Sequence, residues 1–148
     1  MKTVIWLLLT GGCLDRFEPD VGPPLRAICN NVDSDPATSV RFEAEIRAAI
    51  FERADLHCTR CHTAAGETPI GLDVGGLDLA SYQTLLRGGV QSGADLVRPG
   101  DPCGSVLVLK LGVGPPFGAR MPLDGPPHAT ARDIQIIADW ISEGAHDN

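Results

Sequence analysis

The sequence lacks any apolar run that could cross a bilayer. Its longest, Val4-Ile5-Trp6-Leu7-Leu8-Leu9, falls far short of the roughly 20 residues a spanning helix requires. Internal repeats and strict apolar/polar alternation are also missing, so neither a solenoid nor half-buried β-strands are expected. Positive charge is scarce: 12 Lys and Arg stand against 19 Asp and Glu, a net charge of −7. That balance argues against nucleic acid and anionic lipid surfaces as partners. Methionine is nearly absent, with Met1 and Met121 the only two. Cys58 and Cys61 have no second Cys/His pair at similar spacing, which a structural zinc site normally needs.

A length of 148 residues predicts one domain, and part of even that length reads as something else. Residues 1–12 carry Lys2, the short apolar run and then small residues, the pattern of an export signal. A buried N-terminal strand is the competing reading. Gly11-Gly12-Cys13 is similar to a bacterial lipobox, with Thr10 where leucine usually stands, which makes Cys13 a candidate for lipidation. Residues 13–36, with Pro19, Pro23 and Pro24, read as a tether, and residues 37–148 as the domain. Of five cysteines, Cys29 and Cys103 remain once Cys13, Cys58 and Cys61 are assigned. In an oxidising compartment they are expected to pair, a bridge worth about 4 kcal/mol by chain entropy. Two separate buried thiols are the alternative.

Helical periodicity supplies the domain. Phe42, Ile46, Ala49, Ile50 and Ala54 form one stripe, with Thr38 or Ser39 as cap, in a helix expected to run into Cys58. A Gly-rich stretch, Gly66 to Gly76, follows. Ser81 can cap a short helix bearing Tyr82, Leu85 and Leu86. Ser105 to Leu111 is ambiguous between strand and helix, its serine cap and Gly112 favouring a helix. Thr130 and Asp133 make a capping box for a last helix carrying Ile134, Ile137, Ala138, Trp140 and Ile141, stopped near Gly144. The fold class is all-α: three or four short helices joined by loops rich in the chain's 17 Gly and 12 Pro. So few helices bury little surface unaided, and a large apolar prosthetic group would help them pack.

Cys58-Thr59-Arg60-Cys61-His62 is the most specific feature. The spacing C-x-x-C-H lets two thiols add to the vinyl groups of one haem and leaves the next imidazole under the iron. Cys58 and Cys61 are thus candidates for covalent attachment, and His62 for the proximal ligand, its other nitrogen oriented by a carbonyl near Pro69. The competing readings are a zinc pair and a thioredoxin-like dithiol. The second of these wants a βαβ context, whereas here a helix precedes the motif. Met121, in a Gly/Pro-rich loop, is the favoured sixth ligand because no other thioether survives loss of the signal. His128 is the alternative, while His57 is too close to Cys58 and His146 lies in a frayed C-terminus. Thioether ligation raises the potential relative to imidazole.

These features together resemble class I cytochromes c. More closely, the chain is similar to the planctomycete-type cytochrome c domains of exported bacterial proteins. The resemblance lies in Gly75-Gly76-Leu77-Asp78-Leu79-x-x-Tyr82, Gly88-Gly89, Val97-Arg98-Pro99-Gly100-Asp101-Pro102-x-x-Ser105-x-Leu107, Arg120-Met121-Pro122 and Ile137-Ala138-Asp139-Trp140-Ile141-x-x-Gly144-Ala145. It spans roughly Ala37 to Ala145. It implies a small cytochrome c fold with crossed N- and C-terminal helices around one covalent haem c, with His62/Met121 ligation. Cys103 is outside the family pattern.

With both axial positions filled, electron transfer rather than catalysis is expected, on the periplasmic side of a bacterial membrane or at the cell surface. Expected partners are redox proteins, the haem-maturation machinery, and a membrane through the Cys13 lipid. The rivals are an open-iron haem enzyme or sensor, and a binding or assembly module with haem as support.

Overall fold

A computed structural model describes residues Cys29–Asn148. The export signal, the lipidation candidate Cys13 and the tether as far as residue 28 lie outside the described residues. Among those described there is no β-strand. The elements are α1 (Phe42–Phe51), α2 (Cys58–His62), α3 (Ile70–Asp73), α4 (Tyr82–Arg87), α5 (Val106–Leu111) and α6 (Ala131–Ser142), with 3₁₀ turns at Gly93–Leu96 and Pro102–Gly104.

α1 departs from the expected helix in three ways. It is wound with five-residue hydrogen bonds, the Glu52 N–H donating to the Arg47 carbonyl at 2.9 Å, which widens each turn. The buried stripe is therefore Phe42, Ile46, Ile50 and Phe51, while Ala49 and Ala54 face solvent. Neither Thr38 nor Ser39 caps it. The donors at its start are taken from a distance, Val40 N–H by the Glu143 carboxylate at 2.8 Å and Phe42 N–H by the Asn148 side chain at 3.0 Å. Nor does α1 run into Cys58. It stops at Phe51, and a turn through Leu56 and left-handed His57 (φ 52°) redirects the chain.

α6 forms as its capping box anticipates, Thr130 Oγ1 accepting from Asp133 N–H while Asp133 accepts from Thr130 N–H. It packs across α1 through Trp140 and Phe42, both fully buried, with ring centroids 5.4 Å apart and Tyr82 of α4 edge-on to both. Large aromatics buried this completely stabilise by about 3 kcal/mol each. Arg53, just after α1, makes a bidentate pair with Asp133 at 2.8 and 2.9 Å, joining the exit of α1 to the entrance of α6. α5, the ambiguous segment, is helical, with Val106, Leu107, Val108 and Leu111 buried.

The C-terminal segment is tied down rather than frayed. Tyr82 OH donates to the Ala145 carbonyl at 2.8 Å, and Trp140 Nε1–H to the His146 carbonyl at 2.9 Å. The N-terminal segment is fastened too. Cys29 and Cys103 are disulfide-bonded across 74 residues, with Cα atoms 5.5 Å apart. Asn31 brackets the same turn, donating to Asp101 at 2.9 Å and accepting from Cys103 N–H at 2.8 Å. Ser34 then hydrogen-bonds the buried Asp139 carboxylate of α6 through both N–H and Oγ.

Candidate functional site

α2 is only five residues long, and its contents are the motif itself. Cys58 and Cys61, three positions apart, lie on one side of a single turn. Both are free thiols and half-buried. Burial pushes the Cys58 thiol up to about 11, against smaller lowering effects of its backbone hydrogen bond and the Arg53 charge. A dithiol oxidoreductase attacks through a thiolate of depressed pKa, and Cys58 is displaced in the opposite direction.

His62 is fixed from two sides. Its Nδ1 lies 3.2 Å from the Leu77 carbonyl, and donation there leaves Nε2 as the free lone pair. The orienting carbonyl thus belongs to Leu77, not to the neighbourhood of Pro69. The second contact is Gly71 of α3, where an added Cβ would stand 2.6 Å from Nδ1 and 2.7 Å from Nε2. Burial lowers the His62 pKa, the Leu77 hydrogen bond partly offsets this, and the Lys110 charge lowers it further. The imidazole is therefore neutral at physiological pH, the form that ligates a metal. The loop beyond α2 closes on it through Thr68 N–H to the Arg60 carbonyl (3.2 Å) and Leu79 N–H to the His62 carbonyl (2.8 Å).

Met121 is positioned by α5. Its N–H donates to the Lys110 carbonyl at 2.8 Å, and Lys110 Nζ donates to the carbonyls of Phe117 and Ala119 at 2.9 and 2.6 Å. Arg120 Nε donates to the Leu111 carbonyl at 2.8 Å. The thioether side chain is half-buried against the core. Two charges link this loop to the motif. Lys110 is near enough to act on His62, and Arg60, between the two cysteines, lies 3.7 Å from Asp124, three residues past Met121. The structure thereby brings the Met121 loop beside α2.

The other histidines are placed elsewhere. His128 stacks on Gly125, with its Nδ1 buried and without a hydrogen-bond partner among the described residues. His57 is exposed at the left-handed junction, and His146 lies over Gly144. Among the described residues no group of three or more His, Cys, Asp or Glu could hold a metal ion, which leaves a zinc reading of Cys58 and Cys61 without further ligands. An open cleft of about 580 Å³ beside Thr59, Arg60 and Glu67 includes neither motif cysteine, nor His62, nor Met121. Gly71, Leu77 and Lys110 escaped the reading of the sequence. Each lay inside a stretch the sequence marks, Gly71 between Gly66 and Gly76, Leu77 in the motif from Gly75 to Tyr82 and Lys110 in the run from Ser105 to Leu111, but none carried a signal of its role at the site.

No family model, no curated protein and no solved structure matches the chain.

Proposed function

We propose that the chain carries one covalently attached haem c and serves as an electron-transfer protein of the cytochrome c type. Cys58 and Cys61 would hold the group by thioether bonds, and His62 and Met121 would be the axial ligands. The observation that carries this reading is the double constraint on His62. A carbonyl at Leu77 selects the tautomer with Nε2 free, and a glycine at 71 leaves room for the ring, directly beside two free thiols on one helical turn.

The residues present fit the group. The thiols are paired at the right spacing, the imidazole is neutral, and the one methionine of the domain sits on a loop linked to α2 through Arg60 and Asp124. When bound, haem c supplies a one-electron ferric/ferrous couple. The chain's own part is to orient and insulate. Leu77 and Gly71 keep the imidazole in one rotamer, so little rearrangement accompanies a change of charge. Lys110, anchored by two carbonyls, holds the Met121 loop and places a positive charge near the site, which favours the more reduced state. Residues 1–12 as export signal and Cys13 as lipid anchor would place the domain on the periplasmic side of a bacterial membrane or at the cell surface. Redox proteins would be its partners, and haem-maturation machinery its assembly route.

The test is a reduced-minus-oxidised spectrum of protein exported together with haem-maturation machinery, repeated after denaturation and organic extraction. Haem that stays with the chain and gives a low-spin, sulfur-ligated spectrum is the expected result. Covalent haem with a high-spin spectrum would replace electron transfer by open-iron chemistry, and haem lost on extraction would end the proposal.

A further inference from the structure

Among the described residues, half of the carboxylates pair with arginine. Glu43, Glu45, Glu52, Asp55, Asp95, Asp101, Asp124 and Asp133 all pair with arginines. Against that background, Glu67 and Asp73 have neither a cation nor a hydrogen-bond donor at their carboxylates among the described residues, and Asp78 has only the Ala80 N–H. All three flank α3. Between them lie apolar side chains that the fold leaves uncovered. Ile70 is 56 % exposed, Val74 74 % and Val90 80 %. Ile70 and Val74 are one turn apart on the same stripe, the Val74 N–H donating to the Ile70 carbonyl at 3.0 Å. Val90 is brought beside them by its N–H bond to the Gly75 carbonyl at 2.8 Å, its Cγ2 lying 2.9 Å from where a Cβ on Gly76 would stand. A small apolar patch with an acidic rim therefore stands on α3, the same short helix whose Gly71 touches the His62 ring.

We infer that the Ile70–Val74–Val90 patch, rimmed by Glu67, Asp73 and Asp78, is the docking surface for a redox protein that presents an apolar contact ringed by Lys or Arg. The charge pattern selects that occupant. A second copy of this chain would bring the same carboxylates together across the interface, and like charges so placed are repulsive. A basic rim is attracted, which raises the encounter rate at low ionic strength, and the apolar centre then excludes water from the contact. The inference rests on the proposed haem site for its consequence, namely that a partner seated here is separated from His62 by one helix only. It does not rest on that site for its geometry.

Two measurements keep the two questions apart. The first is amide and methyl NMR of the labelled protein titrated with a small basic cytochrome c as probe, at low and at high salt. Perturbations confined to Glu67–Gly76 and Val90, and lost at high salt, are expected. Perturbations centred on another surface overturn the inference, whether or not haem is bound. The second is the stopped-flow rate of electron exchange between the haem-loaded protein and the same probe. Glu67→Gln and Asp73→Asn should each slow it roughly two- to threefold at low ionic strength, with no change for Glu45→Gln on the far helix. Equal rates for all four proteins overturn the docking surface and leave the haem assignment intact. A chain that takes up no haem yet shows the perturbations retains the surface and loses the proposed function.

Discussion

Replacing Gly71 by alanine should break the site while leaving the fold almost untouched. The new Cβ would lie 2.6 Å from His62 Nδ1 and 2.7 Å from Nε2, whereas ordinary contact begins at 3.4 Å. The nearest ring atom, Cε1, would stand at 2.4 Å, so the ring must retreat by about 1.0 Å, the difference of 3.4 and 2.4 Å. Its hydrogen bond to the Leu77 carbonyl already measures 3.2 Å and does not survive such a shift. Losing that bond costs about 1 kcal/mol of stability. Alanine in place of glycine inside α3 returns up to about 1 kcal/mol of helix propensity. The two nearly cancel, so the melting temperature of the unloaded chain should move by no more than a few degrees. Ligation in the proposed haem-loaded form has no such compensation. Loss of an orienting partner weakens a histidine–metal bond on the order of 10- to 100-fold. The assay is an acid titration of the low-spin spectrum of Gly71→Ala against the parent, together with a melt of the haem-free chain. Equal ligation in the two proteins would refute the claim that Gly71 makes room for the imidazole. A large drop in the haem-free melt would show that alanine disturbs the packing instead.

Other outcomes follow from the same structure. Asp133 is held well below the usual carboxylate range by the Arg53 guanidinium, with Thr130 adding hydrogen bonds. Because its folded pKa is depressed, its contribution is complete above the unfolded value of about 3.9 and disappears as pH falls toward the folded one. Asp133→Asn should cost about 2 kcal/mol near neutrality and flatten the acid limb of a stability–pH curve measured by denaturant titration. An unchanged acid limb would count against the pair. Cys29→Ser should lower stability by up to about 4 kcal/mol, the chain-entropy value for a bridge of 74 residues, read as a lower urea midpoint with a steeper slope as the unfolded chain expands. Asn148→Ala removes the acceptor of Phe42 N–H and should cost about 1 kcal/mol, a loss that hydrogen exchange would localise to the first turn of α1.

What could be read from the sequence depended on range. α6 was legible because its cap, stripe and stop lie within fifteen or so neighbouring residues, and because Thr130 and Asp133 satisfy each other. α1 was legible as a helix but not in its winding, since Phe42, Ile46 and Ile50 fit a standard helix, while burial of Phe51 and exposure of Ala49 appear only with five-residue bonds. Its caps were out of reach, because Glu143 and Asn148 lie more than a hundred residues away. At the site, Cys58, Cys61 and His62 announce themselves by spacing. The Leu77 carbonyl has no such signal, because every residue carries one and only the folded chain chooses among them. Arg53 and Asp133, 80 positions apart, meet for the same reason. α3 was absorbed into a glycine-rich stretch, where low helix propensity hid a turn stabilised by its packing on α2.

The donors at the start of α1 have a consequence for biosynthesis. A ribosome delivers Val40 and Phe42 long before Glu143 and Asn148, the residues that accept their N–H groups. Trp140, which buries Phe42, arrives equally late. Until then the first helix has neither its caps nor its packing partner, and a ten-residue helix in water does not persist on its own. The first helix made is thus among the last to settle, because it waits for the end of the described chain to be synthesised.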